Sequence, residues 1–427
     1  MKIVNIVPGT GDSFYCENCI RDASMVKGLR LLGHDVTMVP MYLPLGIDEP
    51  HLAGNTPVFF GAVNIYLKQM IPLFRKAPLW LKRFLDSSVM LKVAAKKSGS
   101  TQARGLEEMT LSMIRGEDGN QVSELNQLVS WLKKEIQPDI VHLANILLIG
   151  LSRRIKEELR VPVVCSLQDE DVWIDAMDHA YSKRIWDTIA ERINDIDAFI
   201  AVSQYYANFM KERVKIDSQK LYIVPIGFDL DGFESGQKTI DPPVIGYLSR
   251  ICEVHGIDIL IDAFIILKQH EKLKNIKLRA TGGQLTQDKK FIKQLQNKLS
   301  RLHLQNDVEF YPEFDRKNRI EFLKSLSVLS VPMKIPAAIG AFQIEAIAAG
   351  VPVVQPRIGG FPEFIEETGG GILYAPNNAE TLASALELLL LNPHDARKLA
   401  ERGRNIVFKK YSHTQVVKDL INVYNSV

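Results

Sequence analysis

The chain of 427 residues is poor in several things at once. It has four cysteines, too few for the disulfide framework that staples small secreted domains. No apolar run approaches the roughly 18 residues needed to cross a bilayer. The opening stretch Met1-Lys2-Ile3-Val4-Asn5-Ile6-Val7 enters a strand directly and has neither the apolar core nor the small-residue cleavage site of a signal peptide. Net charge is almost absent. The balance of 52 Lys and Arg against 50 Asp and Glu is +2, which gives no global signal for nucleic acid. There is no internal repeat and no low-complexity segment. These absences lead us to expect a cytoplasmic protein, with a peripheral seat at the inner face of the membrane as the alternative.

What is present is the composition of a water-soluble globular protein, 46% hydrophobic and 24% charged. The length exceeds one ordinary core and implies two domains. Lys2–Val7 predicts a buried strand and is followed by Pro8-Gly9-Thr10-Gly11-Asp12; a helix over about Ile20–Leu32 and a second strand, Asp35–Met41, come next. Open α/β sheets bind ligands at such strand ends, so Gly9, Gly11 and Asp12 are candidate cleft residues. Cys16-Glu17-Asn18-Cys19 falls in the same loop. No second such pair and no histidine pair lies nearby to close a tetrahedral zinc site. The two cysteines are read as reduced thiols shaping the loop, ahead of metal or redox chemistry.

Residues 44–125 do not fit the βα repeat and read as a helical, basic insertion. From Lys68 to Lys97 there are eight basic residues and one acid, Asp86, interleaved with Leu73, Phe74, Leu79, Trp80, Leu81, Phe84 and Leu85. A solvated basic face is favoured; the functional alternatives are contact with an anionic membrane and a cleft wall for an acidic molecule. Beyond it, Asp139–His142 predicts a strand whose end carries His142 and Asn145, and Pro162–Leu167 a strand ending at Gln168 and Asp169. These four polar residues are candidates for lining a cleft. Residues 229–243 are rich in Gly, Asp and Pro and read as a linker. Lys277–Thr281 predicts a strand with Gly282-Gly283 at its end.

Val331 to Glu367 is the most informative stretch: VPMKIPAAIGAFQIEAIAAGVPVVQPRIGGFPEFIEE. Gly340-Ala341-Phe342 turns into a helix over about Gln343–Ala349, stopped by Gly350 and Pro352. Backbone N–H groups at that helix start, with glycine letting a ligand come close, make an anion site. Glu345, one turn in, offers a carboxylate to sugar or ribose hydroxyls. Gly359-Gly360 before Pro362-Glu363 gives a second helix start.

The segment FQIEAIAAGVPVVQPRIGGFPEFIEETGGGILYAPNNAETLASAL resembles the donor-site segment of family-4 (glycosyl transferases group 1) retaining glycosyltransferases. Glu345 matches the second of that family's two spaced glutamates, and Gly359, Gly360 and Glu363 match the tail. The first glutamate falls on Ala337. After the strand predicted for Pro243–Ser249, Arg250 matches the family's phosphate-binding arginine, whereas His255 replaces its lysine. The resemblance implies the GT-B fold, two facing Rossmann-like α/β domains with a deep cleft between them. Residues 1–228 would form the acceptor domain, 229–411 the nucleotide-sugar donor domain, and 412–427 a helix crossing back to the first. It implies metal-independent transfer from a nucleotide diphosphate sugar to a saccharide, lipid-linked or small-molecule acceptor, with no cofactor.

In these roles Arg250, His255, His142 and Asn145 are the catalytic candidates. Arg250, Gly282, Gly283, Gly340, Ala341, Phe342 and Glu345 would bind the donor, and Gln168 and Asp169 the acceptor. If His255 touches the donor phosphates, affinity rises as pH falls from about 7.5 to 6, because the imidazolium forms in that window. The departures at Ala337 and His255 leave a nucleotide-sugar-binding protein with little or no transferase activity, or a GT-B epimerase, as the alternatives.

Overall fold

The structure is a computed structural model and describes residues 1–9, 14–42, 56–57, 59–60, 103–233 and 240–427. Gly11, Asp12, most of the insertion and the whole basic stretch 68–97 lie outside the described residues. The chain divides by its internal contacts into two units. The first holds most of residues 1–225 and takes in 416–427; the second holds 226–415 and takes in the short segment 14–17.

The first unit is built on six parallel strands: β1 (Lys2–Val7), β2 (Asp35–Pro40), β3 (Ile140–Leu143), β4 (Val163–Leu167), β5 (Ala198–Ala201) and β6 (Leu221–Ile223). Their order is β2-β1-β3-β4-β5-β6, with every neighbouring pair parallel. Parallel strands are covered on both faces and so read as near-continuous apolar runs; β3, β4 and β5 are buried at every position. The helix Glu17–Leu31 supplies Val26 and Leu29 to this core, against Ile3, Val7, Val36 and Ile140. The terminal helix His413–Tyr424 adds Val416, Val417, Leu420 and Tyr424 to the same cluster.

The second unit repeats the plan. Its strands are β7 (Val244–Leu248), β8 (Lys277–Thr281), β9 (Val308–Phe310), β10 (Val328–Leu329), β11 (Val353–Pro356) and β12 (Gly371–Tyr374). They lie in the order β12-β11-β10-β7-β8-β9. The sequence runs outward from β7 on one side and from β10 on the other, so the strand order reverses between them. Ligands of open α/β sheets bind outside the carboxyl ends of the strands at such a reversal. The loops leaving β7 and β10 there are Ser249-Arg250 and the stretch that leads to the helix Ala341–Ala348.

Several element boundaries differ from the sequence reading. The first helix begins at Glu17, not near Ile20, so all of the Cys-x-x-Cys step but Cys16 is helical. The helix after Gly340 starts at Ala341, two residues early, because Gly340 at φ +77° already turns the chain. No helix among the described residues is long and apolar enough to cross a membrane.

Candidate functional site

The helix Ala341–Ala348 is fully buried along its length, the consequence of a sequence with small residues at Ala341, Ala346 and Ala348. Its start is fixed by two close packings. Phe342 meets Phe361 edge to face, with ring centroids 5.9 Å apart, so the start of the helix Phe361–Thr368 lies beside its own. The Gly360 N–H donates to the Ala337 carbonyl at 2.9 Å. A Cβ on Gly360 would stand 2.0 Å from the Ala338 carbonyl oxygen; this close approach of two backbones is what the Gly-Gly step serves. Two helix N-termini, with their partial positive charge, thereby flank the loop 336–340. Glu363 is exposed in the first turn of the second helix.

Glu345 is 2% exposed, and two neighbours hold its carboxylate. The Arg319 Nε donates to Oε1 at 3.1 Å, and the Tyr15 hydroxyl donates to Oε2 at 2.7 Å. Arg319 also donates through Nη1 to the Phe314 carbonyl at 2.8 Å. A buried carboxylate needs such partners, since an uncompensated buried charge is costly.

Arg250 follows β7 and is half-buried. Its Nε and Nη2 both reach the Asp288 carboxylate at 3.0 Å, a bidentate pair. Asp288 is itself held by the Leu285 N–H at 2.9 Å. A planar fork so fixed presents its remaining edge in a set direction. Gly282 and Gly283 follow β8 with φ of +127° and +72°. A side chain on Gly282 would stand 2.2 Å from the Ser249 carbonyl oxygen, so this turn and the Arg250 turn lie backbone to backbone.

His255 lies just before the helix Ile257–Leu267, with Nδ1 2.8 Å from the Ser249 hydroxyl. Burial, and then the Arg250 charge, push its ring down to about 4. The ring is therefore neutral between pH 6 and 7.5, which corrects the expected imidazolium contact. We predict that His255→Gln changes the ratio of nucleotide-sugar affinities at pH 6 and pH 7.5 by less than about twofold, because the ring carries no charge at either value. Calorimetric titration of both proteins checks it, and a rise at the lower pH that the variant loses would contradict the placement. Ala337 is 5% exposed and gives its carbonyl to Gly360, so no carboxylate stands at that position.

The acceptor-side candidates fare differently. His142 lies within β3, not at its end, and is completely buried. Its Nδ1 is 2.5 Å from the Tyr424 hydroxyl and its Nε2 2.8 Å from the Ser166 hydroxyl. With both ring nitrogens engaged inside the core, the catalytic role expected of it is corrected to a structural one. Burial and then the Arg21 charge push it down to about 3. Asn145 and Gln168 do come together at the carboxyl ends of β3 and β4. Arg21 donates to the Gln168 Oε1 at 3.1 Å and also to the Ala144 carbonyl, and Asp22 takes its remaining charge at 2.8 Å. The Asn145 Oδ1 and the Gln168 Nε2 have no partner among the described residues. Asp169 is half-buried with φ +57° and opens the short helix Glu170–Ile174. Gly9 has φ +82°.

Sequence reasoning missed Asp288, Arg319, Arg21, Tyr15 and Glu17. None carries a local signal, because each acts on a partner remote in the chain or unexpected in type. Cys16 and Cys19 are disulfide-bonded, while Cys165 and Cys252 are free and buried. The expectation of reduced thiols is corrected: the i, i+3 spacing at the first helical turn lets the two sulfurs meet.

The comparisons with known proteins agree on the architecture. Residues 232–406 match the family described as "Glycosyl transferases group 1", and residues 110–231 match "Glycosyltransferase Family 4". An uncharacterized glycosyltransferase of Methanocaldococcus jannaschii is 28% identical over 185 residues, 43% of this chain and 45% of the relative. D-inositol 3-phosphate glycosyltransferase 2 of Catenulispora acidiphila is 26% identical over 226 residues, 50% of this chain and 52% of its own. The chain thus spans about half the length of the curated relatives it matches. Among solved structures, Anabaena HepE in complex with UDP-glucose superposes over 100% of both chains with TM-score 0.71 at 15% identity. Sucrose-phosphate synthase from Thermosynechococcus elongatus covers 100% of this chain and 98% of its own, with TM-score 0.71 at 18% identity. With two parallel six-stranded α/β units, a group 1 segment and a family-4 segment, the chain belongs to the glycosyltransferases of GT-B fold.

Proposed function

We propose that the protein is a retaining, metal-independent glycosyltransferase that moves a sugar from a nucleotide diphosphate sugar to a saccharide, lipid-linked or small-molecule acceptor. One observation carries the reading. At the strand-order reversal of the second sheet, the loop after β7 carries a guanidinium fixed by Asp288, and the helix after β10 brings its N-terminal N–H groups and, one turn in, a buried carboxylate. Those are the three groups a nucleoside diphosphate requires. The N–H groups of Ala341 and Phe342 and the Arg250 fork would take the diphosphate and stabilise its charge as it leaves. Such preorganised dipoles need no reorganisation when the bond breaks. Glu345 would take the ribose hydroxyls, and Gly282 and Gly283 would border the base. HepE, solved with UDP and UDP-glucose, makes uridine the first base to test. Asn145, Gln168 and Asp169 would face the acceptor.

The test is a thermal-shift panel of nucleotide sugars followed by product analysis, since a ligand that binds only the native state raises its stability. Arg250→Ala should weaken binding of the best nucleotide by about 1.5–3 kcal/mol, the scale of a hydrogen bond to a charged group. Unchanged affinity on calorimetry would remove Arg250 from the site. A second reading, nucleotide-sugar binding with little transfer, is favoured by the missing carboxylate at Ala337. Release of free nucleotide with no glycosylated product across acceptors would support it, and a gain of transfer in Ala337→Glu would show a weakened enzyme.

Peripheral membrane contact through residues 68–97 rests on the sequence alone. Flotation with anionic vesicles, lost at high salt and absent with neutral vesicles, is the expected result. Equal behaviour of the two vesicle types would leave a solvated basic face.

A further inference from the structure

The short segment 14–17, distant in sequence from the donor loops, lies directly on them. Phe14 pairs with Gly283 in an isolated antiparallel bridge, and the Tyr15 N–H donates to the Gly282 carbonyl at 2.8 Å. The Tyr15 hydroxyl donates to Glu345 at 2.7 Å. The Ala341 N–H donates to the Glu17 Oε2 at 2.7 Å. Each contact copies one part of a nucleoside diphosphate. An aromatic residue lies against the glycine turn that would border a base. A hydroxyl sits on the carboxylate that would hold ribose, and a carboxylate sits on the helix start that would hold phosphate.

We propose that residues 14–17 are an internal occupant of the donor site, held there by the Cys16–Cys19 disulfide, and that nucleotide enters when reduction by a dithiol releases them. The proposal rests on the donor-site reading given above. Three facts support it. Tyr15 is 4% exposed, so it is seated and not merely near. Glu17 is a poor fit for a permanent place: burial, opposed by the Ala341 N–H and reinforced by Glu345, pushes it up to about 7. A disulfide in a four-residue step restricts the backbone on both sides of Glu17. In the exchange, a thiolate of the dithiol attacks one sulfur of the pair and forms a mixed disulfide. Its second thiol then displaces that bond. Two cysteine thiols and one oxidised dithiol result, with two electrons and two protons passed to the protein. Disulfides persist in oxidising compartments and open in reducing ones, so the occupant would report the compartment's redox state.

The test uses the full chain and UDP as probe, with ADP and GDP beside it. If the occupant is seated in nine molecules of ten, apparent affinity is lowered about tenfold, because only the open fraction binds. Calorimetry should therefore show UDP binding about tenfold more tightly to Tyr15→Phe/Glu17→Gln than to the oxidised wild type. Reduction with dithiothreitol, or Cys16→Ser/Cys19→Ser, should give a similar gain. Hydrogen exchange without nucleotide gives an independent readout: the Ala341 amide should exchange faster in the reduced and variant proteins. Equal affinity and equal exchange throughout would overturn the proposal while an Arg250-dependent affinity kept the donor site intact. Weaker binding in Tyr15→Phe/Glu17→Gln would also overturn it, since the two side chains would then be holding nucleotide. A gain in that variant with none on reduction would overturn the disulfide as the latch. If no nucleotide binds any form, the donor-site reading fails and takes the occupant with it.

Discussion

Arg319→Ala should destabilise the second unit by about 3–5 kcal/mol, the cost of removing one partner from a buried ion pair. Arg319 and Glu345 have side chains 5% and 3% exposed, so no water replaces the lost guanidinium. The carboxylate would keep only the Tyr15 hydroxyl. Chemical denaturation followed in the full chain is the measurement, and a loss below about 1 kcal/mol would mean that the pair is solvated in solution. The double variant Arg319→Met/Glu345→Leu separates stability from function. Replacing both charges by apolar groups of similar size is often neutral or stabilising, so it should regain most of the loss. It should not regain nucleotide binding, because the ribose acceptor is gone. If it bound nucleotide as the wild type does, Glu345 would not be in the site.

The second large effect is an acid lability set by His142. Its folded-state value is lowered to about 3 by burial and the Arg21 charge, against an ordinary value of 6.5. Between those values the unfolded chain binds a proton that the folded chain excludes. Stability is therefore complete above about pH 6.5 and is lost as pH falls, with a slope on the order of 1.4 kcal/mol per pH unit from this one group. Buried carboxylates titrate as well: Asp22 and Glu170 are both raised, chiefly by burial. The contrast with a variant isolates the histidine. His142→Gln keeps a neutral hydrogen-bonding side chain between Tyr424 and Ser166. Denaturation between pH 6.5 and 5 should fall less steeply in His142→Gln by about one proton's worth of slope. Identical slopes would mean that His142 protonates in place.

Both results concern residues whose roles the chain order conceals. The sequence determined a good deal by itself. Runs such as Lys2–Val7 and Val163–Leu167 can be buried on both faces only in a parallel sheet, so two α/β units followed from periodicity and length. The glycines at Gly340, Gly359 and Gly360 marked helix starts because a Cβ there has no room or the wrong φ. The motif from Phe342 to Glu363 marked Glu345 and the helix start at Gly340-Ala341. Those are local features, written within one or two turns of chain. Boundaries slipped by two or three residues where a glycine or an acidic first turn extended a helix, as at Ala341 and Glu17.

The tertiary structure decided which polar residues meet. Tyr15 reaches Glu345 across 330 positions, His142 reaches Tyr424 across 282, and Arg250 reaches Asp288 across 38. No periodicity encodes such pairings, because they depend on where two loops or a strand and a distant helix come to rest. His142 was placed at a strand end by counting, yet the register that sets it opposite Asn5 of β1 puts it inside the sheet. There its imidazole is neutral and enclosed. His255 looked like a phosphate ligand by position, and burial beside Arg250 leaves it uncharged. The sequence thus marked the helix starts and glycine turns on which the proposed nucleotide site rests, because those features are local. Which charges survive there, and which side chains lie against these turns, depends on burial and long-range pairing, which exist only once the chain is folded.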